Sequence, residues 1–460
     1  MQCVLISTYD GGHQPFGLAS PAAWLQAAGA DVACVDLAVE ALPHATLAGA
    51  DLVAFYLPMH TATRIASSII PQVRQLNPHA HLCCYGLYAP MNEAFLRSLG
   101  VATILGGEFE QGLLDLVAEL GTLRQPIEPW AQRQPLVSLD RQTFLVPDRS
   151  TLPPLARYAW LQTGANTKRT VGYTEASRGC KHLCRHCPVV PVYQGRFRIV
   201  QPEVVLADIQ RQVAAGAQHI TFGDPDFLNG PRHALAIITA LHEQFPDLTY
   251  DATIKIEHLL KHRAYLPLLR NTGCLFVTTA VEALDDTILA IFDKRHTAAE
   301  FKAVVALFRQ VGLALNPTFV SFTPWTSRQG YLAFLAAIQE LELIENVAPI
   351  QYAIRLLIPA GSKLLELSQV QQLVGMFDET ALSYPWVHAD PEMDRLYTDV
   401  RQAVQAAQAQ HAPRQAIWER VWSLAKAGQA PARDERHTYA GTTAGVRRGP
   451  IPYLSEPWYC

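Results

Sequence analysis

The 460-residue sequence contains no apolar run of about 18 residues, so it predicts no transmembrane helix. It also lacks a block of basic residues: 37 Lys and Arg stand against 41 Asp and Glu, and the formal net charge is -4, which argues against a nucleic-acid partner. The first residues, from Met1 to Tyr9, have no basic segment and no cleavage site, so they read as a β-strand and not as a signal peptide. We find no internal repeat and no low-complexity tract.

The nine cysteines stand at irregular spacings, which do not indicate a disulfide framework in a chain of this length. We therefore expect a reducing, cytoplasmic location, where closely spaced cysteines more often bind metal or take part in catalysis. Hydrophobic residues make up 49% of the chain and charged residues 17%, as in ordinary globular proteins. The length allows two or three domains.

Residues 1–125 alternate apolar segments with helical stretches. Cys3–Ser7, Asp31–Asp36 and His81–Tyr85 are examples of the apolar segments. Buried strands joined by helices predict a doubly wound parallel sheet. In such folds ligands bind beyond the carboxyl ends of the strands, and Gly12 and Gly106 lie in two of these loops.

The rest of the chain divides into three parts. Six prolines punctuate residues 126–165 and predict a linker. Residues 166–375 contain about six strand–helix units, with Gln351–Ile358 as the last strand, and predict a partial (β/α)6 barrel whose chemistry lies at the carboxyl ends of the strands. Residues 376–460 predict a small helical region and an irregular tail, so the whole chain belongs to the α/β class.

Cys180, Cys184 and Cys187 form a C-x3-C-x2-C run just after the start of the predicted barrel. Three thiolates at this spacing can hold three irons of a [4Fe–4S] cluster and leave the fourth iron open. A structural zinc site is the alternative, because His182 and His186 lie within the run. Zinc usually takes two close pairs of ligands, however, and the next cysteine in the chain is Cys274, so the run favours the cluster.

The cysteine run and the strand–helix units that follow it resemble the radical S-adenosylmethionine (SAM) enzymes over about residues 165–370. Residues 1–120 resemble the cobalamin-binding domain that precedes the barrel in one large subgroup. The resemblance implies that Cys180, Cys184 and Cys187 are the cluster ligands and that the open iron binds the methionine moiety of SAM. One electron from the cluster then cleaves a carbon–sulfur bond of SAM.

The resemblance also implies a SAM pocket. Gly223, Asp224 and Pro225 stand where the family binds the SAM amino group, although a tight turn explains them as well. Glu282 stands where relatives contact the ribose or methionine of SAM, with a helix cap as the alternative. Arg355 could hold a carboxylate, or it could form a structural ion pair.

The segment from Lys294 to Thr297 resembles the lysine-and-threonine helix start of these enzymes, but a solvated helix cap is the interpretation that we favour.

Cobalamin is a third expected cofactor, the alternative being a domain that binds no corrin. Gly106-Gly-Glu-Phe-Glu110 resembles a Gly-Glu-x-Glu loop of such domains, and Gly12 and Gly106 would allow the backbone to approach a corrin closely. The cobalt-binding motif Asp-x-His-x-x-Gly is absent, and His13 lies in the same loop at another spacing.

The last residues, Glu456-Pro-Trp-Tyr-Cys460, resemble the tails of a radical SAM family that finish Cys-Cys-Ala-Glu-Pro, or the same with selenocysteine second. One hypothesis is that a selenocysteine codon after Cys460 has been read as a stop, which would make the chain a selenoprotein. Cys460 would then be a catalytic residue suited to a thiophilic atom or to redox work. The alternative is a frayed tail with an idle thiol.

These features predict an enzyme: a radical SAM transferase that modifies an unknown small molecule by methyl or other alkyl transfer. We expect an electron donor such as flavodoxin or ferredoxin as a partner, and neither nucleic acid nor membrane. One alternative is aminocarboxypropyl transfer from SAM to a thiophilic acceptor such as arsenite. Another is a non-catalytic iron–sulfur electron carrier or sensor.

Overall fold

The computed structural model describes residues 1–122, 136–164, 167–427 and 451–455. These residues form two sheets of mainly parallel strands, a short two-stranded ribbon and a pair of helices near the C-terminal end. Among the helices in these ranges, none combines the length and the apolar character needed to cross a membrane.

The first sheet has six parallel strands in the order β2-β1-β3-β4-β5-β6, which is a doubly wound arrangement. Its elements are β1 (Gln2–Ser7), α1 (Phe16–Ala27), β2 (Asp31–Asp36), α2 (His44–Ala48), β3 (Leu52–Tyr56), α3 (His60–Leu76), β4 (His81–Tyr85), α4 (Glu93–Ser98), β5 (Thr103–Gly107), α5 (Glu110–Thr122) and β6 (Leu136–Ser138). One face packs against α1 and α5, and the other packs against α2, α3 and α4. Both faces are therefore covered, which explains why the strands are apolar throughout.

The second sheet has seven strands in the order β14-β13-β12-β11-β8-β7-β15. Its strands and the ribbon β9–β10 are β7 (Trp160–Gly164), β8 (Thr167–Thr174), β9 (Ser177–Gly179), β10 (Phe197–Ile199), β11 (His219–Phe222), β12 (Thr249–Thr253), β13 (Cys274–Glu282), β14 (Ala314–Phe319) and β15 (Tyr453–Leu454). Strands β8 and β11 to β14 are parallel, whereas β7 and β15 add an antiparallel edge. This curled sheet is the predicted partial barrel.

Helices cover the outside of the barrel sheet. They are α7 (Pro202–Ala214), α8 (Pro231–Gln244), α9 (Ile256–Lys261), α10 (Leu266–Asn271), α12 (Ala298–Val311) and α13 (Arg328–Glu340). Helices α11 (Asp286–Ile291) and α14 (Ser368–Gln371) belong to a separate hydrophobic cluster, and α6 (Val189–Tyr193) contacts β5 and β9. Two further helices, α15 (Pro391–Ala409) and α16 (Arg414–Lys426), pack on α13 and on the turn that precedes Arg355, with Trp418 fully buried between them. The expectation of helices near the C-terminal end is confirmed.

The last predicted strand of the barrel is wrong. Residues Pro349–Ala353 form a 3-10 turn, and only one parallel bridge, from Phe322 to Arg355, stands where a sixth strand was expected. Pro349 has no N–H to donate to a strand ladder, which favours the turn.

Part of the segment 126–165, which was expected to be a linker, belongs to the sheets. Strand β6 is the edge of the first sheet and β7 belongs to the second. Phe144 and Leu155, between these strands, are both 4% exposed. The proline-containing segment between β6 and β7 is therefore partly buried and is not only an exposed linker.

Helix α12 illustrates how local sequence sets these elements. Thr297 and Glu300 form a capping box, in which the Thr297 hydroxyl accepts from the Glu300 N–H and the Glu300 carboxylate accepts from the Thr297 N–H. Gly312 ends the helix with φ of 72°, a left-handed conformation that glycine adopts easily. The helix thus presents Phe301 to the barrel core, where its ring meets the Phe319 ring edge-on at 6.0 Å.

Phe301→Ala should destabilise the barrel. Phe301 is 0% exposed, so its truncation leaves a cavity under β14, and such changes cost about 3–5 kcal/mol. We expect the midpoint temperature of unfolding to fall by several degrees in a thermal scan. Lys302→Ala, an exposed neighbour on the same helix, should leave the midpoint nearly unchanged. Equal midpoints for the two variants would contradict the packing described here.

Candidate cofactor site

The cysteine loop runs from Cys180 to Cys187, between β9 and α6. Its last turn closes with a hydrogen bond of 3.1 Å from the Cys187 N–H to the Cys184 carbonyl. At its start, Gly179 has φ of 74°, and a Cβ there would overlap the ring of Tyr193. Glycine is therefore required for the chain to enter the loop in this direction.

Neighbouring elements hold the loop from outside. The Asn229 side chain, which is 0% exposed, accepts a hydrogen bond of 3.2 Å from the Lys181 N–H and lies 3.9 Å from the Cys180 sulfur. The Arg185 N–H donates to the Phe292 carbonyl at 2.9 Å, and its guanidinium donates to the Ile291 carbonyl at 2.9 Å. The loop is thus fixed by the C-terminal end of the helix Asp286–Ile291 and by the turn after β11.

The three thiols form a donor set that suits a cationic metal cluster. Burial raises the pKa of Cys180 to about 11 and the pKa of Cys187 to about 12. Cys184 is buried as well. Thiols in such surroundings form thiolates when a metal cation compensates their charge, and sulfur is the usual ligand of iron in clusters. The residues present therefore fit a cluster with three protein ligands.

Glu282, the sequence-predicted SAM contact, lies at the carboxyl end of β13 and is 3% exposed. Its Oε1 atom lies 3.2 Å from Lys294 Nζ and 3.1 Å from His186 Nε2. Burial alone would raise the pKa of Glu282, but Lys294 and His186 outweigh it and lower that pKa well below its ordinary value. Glu282 has φ of 69°, which is uncommon for a residue other than glycine and costs energy.

Lys294 is the main residue that the sequence interpretation missed. It is not a solvated helix start, because it is 4% exposed and its ammonium pairs with Glu282. Burial opposes the charged form, but Glu282 and then the cysteines Cys184 and Cys187 raise the pKa of Lys294. A positive charge thus lies beside the cysteine loop. The resemblance of Lys294–Thr297 to a family pattern was the signal that could have identified it.

Asp224, predicted to bind SAM, forms hydrogen bonds with the start of β9, just before the cysteine loop. Its two carboxylate oxygens accept hydrogen bonds of 2.9 Å from the Ala176 N–H and 2.5 Å from the Ser177 hydroxyl. Burial raises the pKa of Asp224 to about 7. The carboxylate therefore positions the chain just before β9, and Pro225 next to it is exposed.

Gly223 and Arg355 also have identifiable structural partners. A Cβ at Gly223 would overlap the hydroxyl of Tyr173, so glycine is needed for this packing. The Arg355 guanidinium donates to Asp394 at 2.7 Å and lies 3.6 Å from the centroid of the Trp386 ring. This geometry corresponds to the structural ion pair that the sequence left open, and a SAM contact for either residue stays a prediction.

The carboxyl edge of the first sheet meets the cysteine loop through one arginine. Arg178 in β9 donates to Glu110 at 2.7 Å and 2.9 Å and to Glu175 at 2.6 Å, and lies 3.5 Å from Glu108. Its guanidinium also lies 4.9 Å from the centroid of the Phe109 ring. Arg178 is 6% exposed, so this network is buried. Because Arg178 stands two positions before Cys180, the network ties the predicted cobalamin-binding domain to the start of the cysteine loop.

The predicted corrin-contact residues lie at this same edge. Gly12, with φ of 77°, follows β1, whereas Gly106 lies in β5, where a Cβ would overlap the Pro90 ring. His13 is 7% exposed, its ring centroid is 4.9 Å from that of Tyr173 in the barrel sheet, and burial lowers its pKa to about 4.

Cys460 lies outside the described residues, so its proposed role stays a prediction.

Residues 174–323 match the family model described as the radical SAM superfamily. This stretch includes the cysteine loop, Glu282 and Lys294. The chain carries a radical SAM domain. The expected cluster and SAM cofactors are those of this domain, and the sulfur donors of the loop fit the cluster.

Comparison with known proteins places this domain among several enzymes. A tRNA-2-methylthio-N(6)-dimethylallyladenosine synthase of Desulfosudis oleivorans is 25% identical over 207 residues, which are 43% of this chain and 44% of that protein. A hopanoid C-2 methylase of Rhodopseudomonas palustris is 24% identical over 159 residues, or 33% of this chain and 30% of that protein. The matches thus span less than half of the length of either relative.

Two solved structures have the same fold. The cobalamin-dependent SAM radical enzyme OxsB, with aqua-cobalamin and SAM bound, has a TM-score of 0.70 at 13% identity, covering 88% of this chain and 67% of OxsB. The radical SAM methyltransferase TsrM from Kitasatospora setae, with cobalamin and a [4Fe–4S] cluster bound, has a TM-score of 0.60 at 16% identity, covering 74% of this chain and 73% of TsrM. At these identities the likeness concerns the fold, and it confirms the order of a doubly wound sheet followed by a partial barrel.

Glu108→Gln should change how stability depends on pH. Burial raises the pKa of Glu108 from 4.5 to about 7, so the folded state favours the protonated carboxyl. The stability from this group is complete below about pH 4.5 and is lost as pH rises to about 7. Glutamine has no proton to lose, so the free energy of unfolding of the variant, relative to the parent, should rise by about 1–3 kcal/mol from about pH 5 to about pH 8.

Urea titrations at the two pH values measure this difference. Glu379→Gln, at an exposed position, is the matched control and should give the same difference at both pH values. A pH-independent effect of Glu108→Gln would mean that Glu108 does not titrate in this range.

Proposed function

We propose that this chain is a radical SAM transferase that moves a methyl or other alkyl group onto a small molecule. One observation carries the proposal: the buried Arg178 joins the start of the cysteine loop to Glu108 and Glu110 at the carboxyl edge of the first sheet. Ligands of doubly wound sheets bind at that edge, and barrel chemistry lies at the carboxyl ends of barrel strands. The two candidate cofactor sites therefore adjoin each other.

Cys180, Cys184 and Cys187 would hold three irons of a [4Fe–4S] cluster and leave the fourth iron to the amino-acid end of SAM. When bound, the cluster supplies one electron that cleaves a carbon–sulfur bond of SAM. Lys294 places a positive charge beside the thiolates and holds Glu282 in a fixed position. A buried cation near the ligands favours the more negative, reduced form of the centre.

Two acidic residues have different roles in this proposal. Glu282 is held by Lys294 and His186, and it offers a carboxylate to the ribose or the amino group of SAM. Asp224 acts indirectly, since its carboxylate holds Ala176 and Ser177 just before the loop. The backbone of the turn at Gly223 and Pro225 is then left to contact SAM.

Cobalamin is the second cofactor that we propose. The support is the likeness of the fold to OxsB and TsrM, both of which were solved with cobalamin bound, and the position of the first sheet's carboxyl edge beside the cysteine loop. Gly12, with its left-handed backbone, and the loop after β5 lie at this edge. Bound there, cobalamin would supply a carrier for an alkyl group.

A small-molecule acceptor is supported by charge. The net charge of -4 over 460 residues gives no general attraction for a polyanion such as RNA. Among the similar proteins, the hopanoid C-2 methylase has a name that describes methylation of a hopanoid, and TsrM has been solved with tryptophan as its substrate. The name of the tRNA-2-methylthio-N(6)-dimethylallyladenosine synthase describes a modified tRNA base, so RNA is the competing acceptor.

The cluster and SAM cleavage are tested together. After anaerobic reconstitution we expect about four irons per chain and, with dithionite, conversion of SAM to 5'-deoxyadenosine or another cleavage product. Cys184→Ala should lose most of the iron and all of the cleavage. Cys274→Ala, at a buried cysteine in β13, is the matched control and should keep both. SAM left intact by the fully loaded parent protein would overturn the proposed function.

Corrin binding is tested without turnover. Protein refolded or expressed with hydroxocobalamin should retain about one corrin per chain after gel filtration, measured by its visible absorption spectrum. Arg178→Gln leaves the buried Glu108 and Glu110 and the partly buried Glu175 without their shared cation, and we expect it to reduce both corrin retention and iron content. Arg196→Gln, at an exposed arginine between α6 and β10, is the control. Free passage of the corrin through the column would exclude cobalamin.

A further inference from the structure

We propose that an open cleft beside Cys180 is the docking surface for an acidic, one-electron carrier protein, and this inference rests on the proposed function. The cleft has a volume of about 320 Å³ and is lined by residues that follow β11, β12 and β13 and by Lys181 and His182 of the cysteine loop. Its rim includes Lys181, Lys261 and Arg295, all of which are exposed.

The rim has a positive charge that is local. Arg295 has 60% of its side chain exposed. Glu257 is the one acidic residue that lines the cleft among the described residues, and its Oε2 atom lies 3.6 Å from Nζ of the buried Lys255. The acidic charge of Glu257 is thus offset from within the fold. Arg295 Nε lies 3.6 Å from Asp293 Oδ1, outside the cleft, whereas Lys181 and Lys261 form no ion pair with a carboxylate of the described residues. The chain as a whole has a net charge of -4, so this rim differs from the average surface.

Residues that line the cleft adjoin Cys180, a proposed cluster ligand. His182 and His258 line it, and the buried Asp226 lies 3.5 Å from His182 Nε2 and 2.7 Å from His258 Nδ1. One ligand atom each of Cys180, His182 and Asp226 lies within 4.8 Å of the others. Cys180 is itself partly exposed, so a carrier seated on the cleft would be separated from a cluster ligand by about one side chain.

The charge pattern favours a protein carrier over RNA. Three cations around a small cleft can steer an acidic surface into contact and raise its association rate, an effect that weakens with salt. RNA needs a longer basic stripe that follows its phosphates, and the net charge opposes it. The redox step balances simply: the carrier loses one electron, the cluster gains it, and no atom or proton moves.

The double variant Lys261→Glu/Arg295→Glu tests the surface. With flavodoxin hydroquinone as the probe at low ionic strength, we measure the rate of cluster reduction by stopped-flow absorption under anaerobic conditions. The second-order rate of the double variant should fall about tenfold or more, because steering contributes about 10- to 1,000-fold to such rates. Reduction by dithionite, which needs no docked protein, should keep its parent rate. Lys302→Glu, an exposed reversal on α12, should resemble the parent with both reductants.

The other outcomes overturn the inference. Unchanged reduction by flavodoxin would mean that the carrier docks elsewhere, and an equal loss with both reductants would mean that these residues act on the cluster itself. A fall in affinity for tRNA with an unchanged flavodoxin rate would make the cleft an RNA surface. The readout does not depend on SAM cleavage: rapid, charge-dependent reduction with SAM left intact would overturn the proposed function and leave the docking surface standing.

Discussion

The guanidinium of Arg178 is the interaction on which the candidate site depends. It is buried where two sheets meet, and it serves Glu108 and Glu110 from one side and Glu175 from the other. A buried cation is tolerated only when it is paired, and here one cation is shared by three carboxylates. The excess of negative charge is relieved because burial raises the pKa of Glu108 to about 7 and also raises that of Glu175. The same ion pairs therefore stabilise both the contact between the sheets and the position of the cysteine loop.

The remaining supports of the loop come from separate strand ends. Asn229 after β11, the end of α11 after β13, and Asp224 each fix a different part of the backbone around Cys180 to Cys187. Each contact is a hydrogen bond to a main-chain group, so it constrains position with little dependence on the neighbouring side chain. A barrel is suited to this role, because the carboxyl ends of parallel strands converge on one rim.

The sequence was sufficient to predict those elements of the fold that are determined by residues close together in the chain. Asp31–Asp36 and His81–Tyr85 were predicted with the bounds that the structure has, because strands buried on both faces are apolar throughout. The capping box at Thr297 is local in the same sense. Gln351–Ile358 failed because an apolar run also fits a buried turn.

Only the part of the candidate site that forms a short sequence motif could be predicted from the sequence. The spacing of Cys180, Cys184 and Cys187 lies within eight residues, whereas Arg178 and Glu110 are 68 positions apart and their pairing has no local signature. The same holds for the capture of Asp224 by Ser177, across 47 positions. Lys294 was mistaken for a solvated residue because its sequence neighbours are those of an ordinary helix start, and only the fold buries it against Glu282.

The far edge of the barrel sheet bears on the order in which the protein can fold during synthesis. Strand β15 covers the open side of β7, and Ser455 bonds to Trp160 across 295 positions. An uncovered edge strand can pair with other chains. Translation proceeds at about 5–20 residues per second, so β7 waits for tens of seconds on the ribosome before its partner has been made. During that interval the open edge of β7 is exposed to other chains.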